Sequence, residues 1–412
     1  MKKFIIFSYT IARMGGGQMY QYNKLKYMKK HGYDTYVFYA IPGEVIINDI
    51  QNVAHCECIE QLNVHPCVVT RKEVDYVRNR IIDVVGRSNE GDYIIETCNK
   101  PTSMWGEIIA REINGVCIPF IIDEKIGSLE PALLDFFSYK RNKDELKGIK
   151  KETYNMIFNS DCDVDDYRYC LPISGNNVVQ DINIDQYRDL LSFDGFKICT
   201  IGNLNKEYVP ELLNQVIAFA KKYSKTPVLY CMIGDSPKQE DMKKIENLFK
   251  KLQSPTIHLF GAMYPIPEKL LFGFDAFVSS AGSARVSGDR AIPTITIDSR
   301  DHMAIGIYQY ETDNTVFRQN EPQIPIAEKL TYLVENYDMI KKELYSKPAS
   351  NFDKPFDKHL EYYITHSNTR EYYDVLAMKL SKEKLVEKAI YRILGKKAYE
   401  YIRGIAFSKL QR

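Results

Sequence analysis

The pattern that most limits this chain is an alternation of strand-length apolar runs with helix-length segments, arranged in two successive series. The first opens with Phe4-Ile5-Ile6-Phe7 inside a near-continuous apolar run over 3–9. A loop carrying Gly15-Gly16-Gly17 follows, then a helical stretch over 18–30. His31-Gly32-Tyr33 closes that helix, glycine after a lysine-rich last turn being a strong stop signal. A strand over 35–39, a strand over 92–96, a helix over 104–113 and a strand over 116–122 continue the series. Residues 143–155 read as a charged helix and 155–158 as a short strand. A Gly-, Asn- and Pro-rich stretch over 170–194 reads as a link. The second series has strands over 197–201, 228–233, 256–259 and 276–279, separated by helices over 209–222, 238–252 and 266–272. A helix over 325–345 and a Tyr-rich helical region over 358–380 come last. Apolar strands between helices imply parallel sheets covered on both faces. The expected fold is therefore α/β: two doubly wound domains, 1–175 and 195–345, and a helical extension over 346–412.

Composition narrows the function. Lys and Arg number 55 against 54 Asp and Glu, a balance that argues against a general nucleic-acid binder. No apolar run reaches the roughly 18 residues a membrane-spanning helix needs. The apolar N-terminal run is too short for a signal peptide and is soon broken by Arg13, so it reads as a core strand. Nine cysteines lack the spacing of a disulfide framework, which points to reduced thiols and a cytoplasmic location.

One turn stands out chemically. The apolar strand Ala276-Phe277-Val278 opens into Ser279-Ser280-Ala281-Gly282-Ser283-Ala284. Small residues between a strand and a helix start leave backbone N–H groups pointing outward, which suits a diphosphate. Close packing of strand on helix is the alternative use of the same residues.

Several segments occur in an order that resembles one family. They are Ile198-Cys199-Thr200-Ile201-Gly202-Asn203-Leu204, Cys231-Met232-Ile233-Gly234-Asp235-Ser236-Pro237, Ile257-His258-Leu259-Phe260-Gly261, Asp275-Ala276-Phe277-Val278-Ser279-Ser280 and Ile292-Pro293-Thr294-Ile295. The series resembles the donor-binding domain of GT-B glycosyltransferases, most of all the bacterial enzymes that use nucleotide sugars to build surface polysaccharides. Gly15-Gly16-Gly17-Gln18 and His31-Gly32-Tyr33 are similar to that family's acceptor domain. The resemblance implies two Rossmann-like domains and a nucleotide diphosphate sugar, UDP-linked first among the choices, bound between them. No cofactor and no metal belong to the scheme. It also implies roles: Gly15, Gly16 and Gly17 near the donor phosphates or sugar; Gly202 for close approach; Phe260 and Gly261 at the base; Gly282, Ser283 and Ala284 around the diphosphate; Asp289 on the ribose. The family commonly carries Arg where Asn203 stands, Lys near Tyr208, a pair of glutamates near Ser283 and Asp289, and an acceptor-domain His near Asp123.

Glycosyl transfer builds negative charge on the leaving diphosphate, which N–H dipoles and cations stabilise. Lys206 and Arg285 are the candidate cations, with solvated surface charge as the alternative. Asp123 or Glu124 could deprotonate an acceptor hydroxyl, or could simply be loop or capping carboxylates. The expected acceptor is a carbohydrate or a lipid-linked one, without nucleic-acid partners. A catalytically inactive GT-B partner and a nucleotide-sugar epimerase are the competing functions.

Three further clusters remain. His55-Cys56-Glu57-Cys58 with His65 and Cys67 has ligand types for zinc but not a standard spacing. Asp161-Cys162-Asp163-Val164-Asp165-Asp166 reads as a helix start capped by Ser160. The tail over 379–412 holds ten Lys or Arg against three Glu, and Leu385, Ala389, Ile393 and Leu394 recur at helical spacing. It reads either as a basic amphipathic helix that meets the inner face of a membrane or as one that packs back on the N-terminal domain.

Overall fold

The computed structural model describes residues 2–12, 15–45, 47–87, 93–122, 129–148, 151–158, 169–173, 177–224, 226–236, 239–250, 252, 254–347, 354–366 and 369–410. In chain order the elements are β1 (Lys3–Ser8), α1 (Gly16–Lys30), β2 (Asp34–Tyr39), α2 (Ile50–Val53), β3 (His55–Cys58), α3 (Arg71–Val85), β4 (Tyr93–Thr97), α4 (Lys100–Ile113), β5 (Val116–Ile121), α5 (Pro131–Asn142), β6 (Lys147–Gly148) and α6 (Lys151–Phe158). Next come β7 (Val179–Gln180), α7 (Arg188–Leu191), β8 (Phe196–Ile201), α8 (Val209–Lys222), β9 (Val228–Ile233), α9 (Gln239–Phe249), β10 (Thr256–Gly261), β11 (Ile266–Pro267), α10 (Glu268–Phe272), β12 (Ala276–Ser279), α11 (Ala281–Gly288), β13 (Thr294–Ile297) and β14 (Ala304–Ile307). The chain finishes with α12 (Ile326–Glu335), α13 (Tyr337–Tyr345), α14 (Lys354–Thr365) and α15 (Lys382–Leu410).

Two compact units result. Unit 1 gathers Met1–Arg13, Tyr20–Ser174 and Asp353–Arg412; unit 2 gathers Met14–Met19 and Gly175–Phe352. Unit 1 is built on a parallel sheet of order β3-β2-β1-β4-β5-β6. Its central strands are apolar on both faces because helices cover both, and Phe4, Ile5, Ile6 and Phe7 are wholly buried. Helix α3 is fixed at its start by a capping box between Thr70 and Glu73, and α4 by one between Asn99 and Thr102. Unit 2 has a sheet of order β10-β9-β8-β12-β13-β14, parallel except for β14.

The sequence expectation of a charged helix over 143–155 and a strand over 155–158 is corrected. Helix α5 ends at Asn142, Lys147–Gly148 is a sheet edge, and Lys151–Phe158 is helical. Two of the charges that suggested a surface helix, Glu145 and Lys147, are internal: Glu145 pairs with buried Lys140 of α5, which also bonds buried Glu107 at 2.8 Å. The single helix expected over 325–345 is two, α12 and α13.

The extension set apart over 346–412 does not stand alone, since Asp353–Arg412 packs within unit 1. Its tyrosines explain this, each giving an apolar ring to a core and a hydroxyl to a polar partner. Tyr363 donates to Glu96 at 2.6 Å, Tyr362 to the Asp144 carbonyl at 2.6 Å, Tyr372 to the Gly115 carbonyl at 3.0 Å and Tyr391 to Glu73 at 2.7 Å. No helix among the described residues is long and apolar enough to cross a membrane.

Candidate functional site

In unit 2 the chain runs outward from β8 to β9 and β10, then crosses to the other side of β8 as β12. The strand order therefore reverses between β8 and β12, and ligands of open α/β sheets bind beyond the carboxyl ends of strands at such a point. Three neighbouring strands finish in glycine there: Gly202 after β8, Gly234 after β9 and Gly261 at the end of β10. Gly202 N–H donates to the Ile233 carbonyl at 3.0 Å, and Gly234 N–H to the Gly261 carbonyl at 2.9 Å. Gly234 has a φ of 153°, and a Cβ on it would stand 1.8 Å from the Gly202 oxygen. Only glycine lets these backbones close together. Gly261, at φ 75°, has open space where a side chain would be.

The turn after β12 is fastened on all sides but one. Ile201 N–H donates to Ser279 Oγ at 3.0 Å, locking β12 to β8. Ser280 stands at the N-cap, yet its hydroxyl donates to the Ile297 and Thr315 carbonyls, so it does not cap α11. Ala281, at φ 54°, donates its N–H to the Thr315 carbonyl at 2.6 Å. The next two amides, of Gly282 and Ser283, have no hydrogen-bond partner among the described residues, as first-turn amides of an uncapped helix do not. Both residues are half-buried, and Ala284 is fully buried. Glu321 braces the segment that supplies Thr315. It pairs with the Thr312 hydroxyl and accepts from Asn314 Nδ2 at 2.7 Å and the Gln319 amide at 2.8 Å. Burial works to raise its carboxyl pKa, but these bonds outweigh that and bring it down to about 2.

The other expected residues are distributed unevenly. Asn203 is half-buried and Lys206 exposed on the loop that leaves β8, beside the switch point. Gly16 and Gly17 open α1 and Gly15 accepts its first-turn amide bond from Met19 at 3.0 Å. Within unit 2, which takes in Met14–Met19, a Cβ on Gly15 would lie 3.5 Å from Asn203 Nδ2. Phe260 packs edge-on against His258 and Tyr187, at 4.5 and 5.1 Å between ring centroids.

Asp289 is the residue expected on the ribose. It ends α11, an eight-residue helix roughly 12 Å long, so it lies at the end of the helix remote from Gly282. Its carboxylate accepts from the Tyr308 hydroxyl at 3.1 Å and Gln309 Nε2 at 3.2 Å. Arg285, half-buried on α11, works electrostatically to lower the pKa of the same Tyr308 hydroxyl. Asp123 and Glu124 lie outside the described residues, as does the acidic run 161–166. The His55–Cys58 run forms edge strand β3, and His65 Nδ1 accepts the Cys67 amide at 3.1 Å.

Sequence reasoning missed Arg300. It follows β13 and chelates the buried Asp298 with Nε at 3.0 Å and Nη2 at 2.7 Å, while its guanidinium lies 5.2 Å from the Phe317 ring centre. Burial pushes the Asp298 carboxyl up; the Arg300 bonds and the Arg318 amide more than reverse this and hold it below the usual carboxylate range. The signal was present as Asp298-Ser299-Arg300-Asp301 directly after an apolar strand. Arg300 is thereby neutralised by Asp298, and the carboxyl end of this sheet combines amides without partners among the described residues, side-chain-free strand ends and the exposed cation Lys206, a set suited to an anion.

No protein-family model and no curated protein matches the chain by sequence. Solved structures do match its fold. A glycosyltransferase from Rickettsia africae superposes with a TM-score of 0.63 at 12% identity, over 89% of this chain and 100% of that one. Anabaena Alr3699/HepE, solved in complex with UDP and glucose, gives 0.62 at 11% identity, over 87% and 98%. A candidate UDP-N-acetylglucosamine 2-epimerase from Listeria monocytogenes gives 0.50 at 10% identity, over 90% and 99%. The chain has the GT-B fold of two Rossmann-like domains.

Proposed function

We propose that this protein is a GT-B glycosyltransferase that takes a sugar from a nucleotide diphosphate sugar, with UDP as the favoured nucleotide, and passes it to a carbohydrate or lipid-linked acceptor. The observation that carries the reading is the uncapped start of α11: the Gly282 and Ser283 amides have no partner among the described residues and stand beside the point where strand order reverses. The HepE structure, which has the same fold and contains UDP and glucose, supports it.

In this reading the diphosphate sits against the Gly282 and Ser283 N–H groups, and the glycine strand ends at Gly202, Gly234 and Gly261 leave room for the nucleotide. As the sugar–oxygen bond breaks, charge grows on the diphosphate. Fixed amide dipoles meet it without reorganising, and Lys206, exposed on the neighbouring loop, adds a cation. Asn203 is uncharged where the family carries Arg, so the amides and Lys206 bear more of that stabilisation. Asp123 or Glu124 is the assigned base for the acceptor hydroxyl. No metal enters this scheme. Cell-surface glycan assembly at the inner face of a membrane is the proposed setting.

The Listeria likeness favours epimerisation as a second reading. One assay separates the two. UDP-sugars are incubated with the protein, with and without carbohydrate acceptors, and both UDP release and sugar configuration are followed. UDP release that requires acceptor supports transfer. A changed sugar without acceptor supports epimerisation. Neither, together with tight acceptor binding, assigns a non-catalytic partner role.

A further inference from the structure

The outer face of the C-terminal helix points to the way the protein meets a membrane. Helix α15 is broken at Gly395, whose φ is 80°, into segments 382–394 and 396–410. The inner faces of both segments are fixed to the rest of unit 1. Tyr391 and Tyr399 are each only 3% exposed. The Tyr391 hydroxyl donates to Glu73 at 2.7 Å, and Arg403 Nη1 donates to the Asn63 carbonyl at 3.0 Å. The apolar side chains face the other way. Leu385 is 54% exposed, Val386 59% and Ile393 79%. At about 100° per residue these three and Ala389 fall within an arc of about 100°, opposite Tyr391. Beyond the break, Tyr401 at 72% and Ile402 at 39% continue the exposed apolar surface.

A surface helix normally turns its apolar stripe inward; this one turns it to solvent and attaches by tyrosines. Charge identifies the occupant. By the same angular count, exposed Lys382 lies within the stripe and exposed Arg392 at its edge, whereas Glu383 and Glu387 fall outside it. Exposed Lys397 follows directly after the break, and the tail as a whole carries ten cations to three anions. Apolar side chains ringed by Lys and Arg match the boundary between acyl chains and anionic headgroups.

We infer that the face of Leu385, Val386, Ala389 and Ile393 docks in the plane of an anionic lipid surface, with the rest of unit 1 held to it through the Tyr391–Glu73 bond and the buried ring of Tyr399. The inference deepens, and rests on, the membrane setting of the proposed function, but it uses no residue of the donor site, so its failure leaves nucleotide binding untouched. The test is co-sedimentation of the full chain with phosphatidylcholine vesicles and with vesicles that also contain phosphatidylglycerol. The wild type should pellet with the anionic vesicles and not the neutral ones, and added salt should release it. Val386→Glu/Ile393→Glu and, separately, Lys382→Glu/Lys397→Glu should each weaken binding by about tenfold or more while leaving the melting temperature unchanged. Absence of binding, or binding that both variants retain, overturns the inference. So does a dimer in solution that Ile393→Glu converts to monomer, which would assign the stripe to a second copy of the chain.

Discussion

Lys24 shows how one residue can work against its surroundings. Its side chain is fully buried in α1, and its amine makes no hydrogen bond among the described residues. The Phe4, Phe356 and Tyr363 rings surround it at 5.7, 5.3 and 4.8 Å. Burial disfavours its charge and Glu96 only partly offsets this, so its pKa falls from 10.5 to about 7. Between those values the unfolded chain holds a proton that the folded one has released. Stability therefore climbs as pH rises from about 7 toward 10, and the whole cost is present below 7. Lys24→Met removes this titration. The unfolding free energy of the variant should lose about 4 kcal/mol relative to wild type between pH 7 and pH 10. Denaturant titrations at both pH values measure it, and parallel pH curves would refute the assignment. None of this was legible in the sequence, where Lys24 sits among the lysines of an ordinary helix.

Elements were readable where apolarity and turn chemistry agreed. Strands β8, β9 and β12 are continuous apolar runs ended by glycine or serine, and the expected and observed spans agree closely. Segment 143–158 failed because Glu145 and Lys147 are buried, the reverse of what lysine and glutamate usually imply. Helix α3 went unremarked although Thr70 and Glu73 spell a capping box. At the glycine edge, the element itself can be tested. Gly234→Ala places a Cβ 1.8 Å from the Gly202 oxygen at a φ that alanine resists. The cost should be about 2–4 kcal/mol in equilibrium unfolding, with loss of any nucleotide-induced thermal shift. A variant as stable as wild type would mean that the Gly202–Gly234 approach is not required.

At the scale of the whole molecule, the doubly wound alternation announced two Rossmann-like units, but not that the chain's end returns to the first. That return depends on partners far apart in sequence, such as Tyr363 with Glu96 and Tyr391 with Glu73, and local pattern carries no trace of them. The strand–turn–helix after β12 was legible as structure for the opposite reason: its strand, small residues and helix start lie within a dozen positions. Isothermal titration of UDP into wild-type protein and into Gly282→Asp tests the central claim most directly. The substitution sets a carboxylate among the amides assigned to the diphosphate. Saturable binding to the wild type, weakened by about tenfold or more in the variant, is the predicted result. Absence of binding to wild type by UDP and by the other nucleoside diphosphates, or equal affinity in the two proteins, would contradict it.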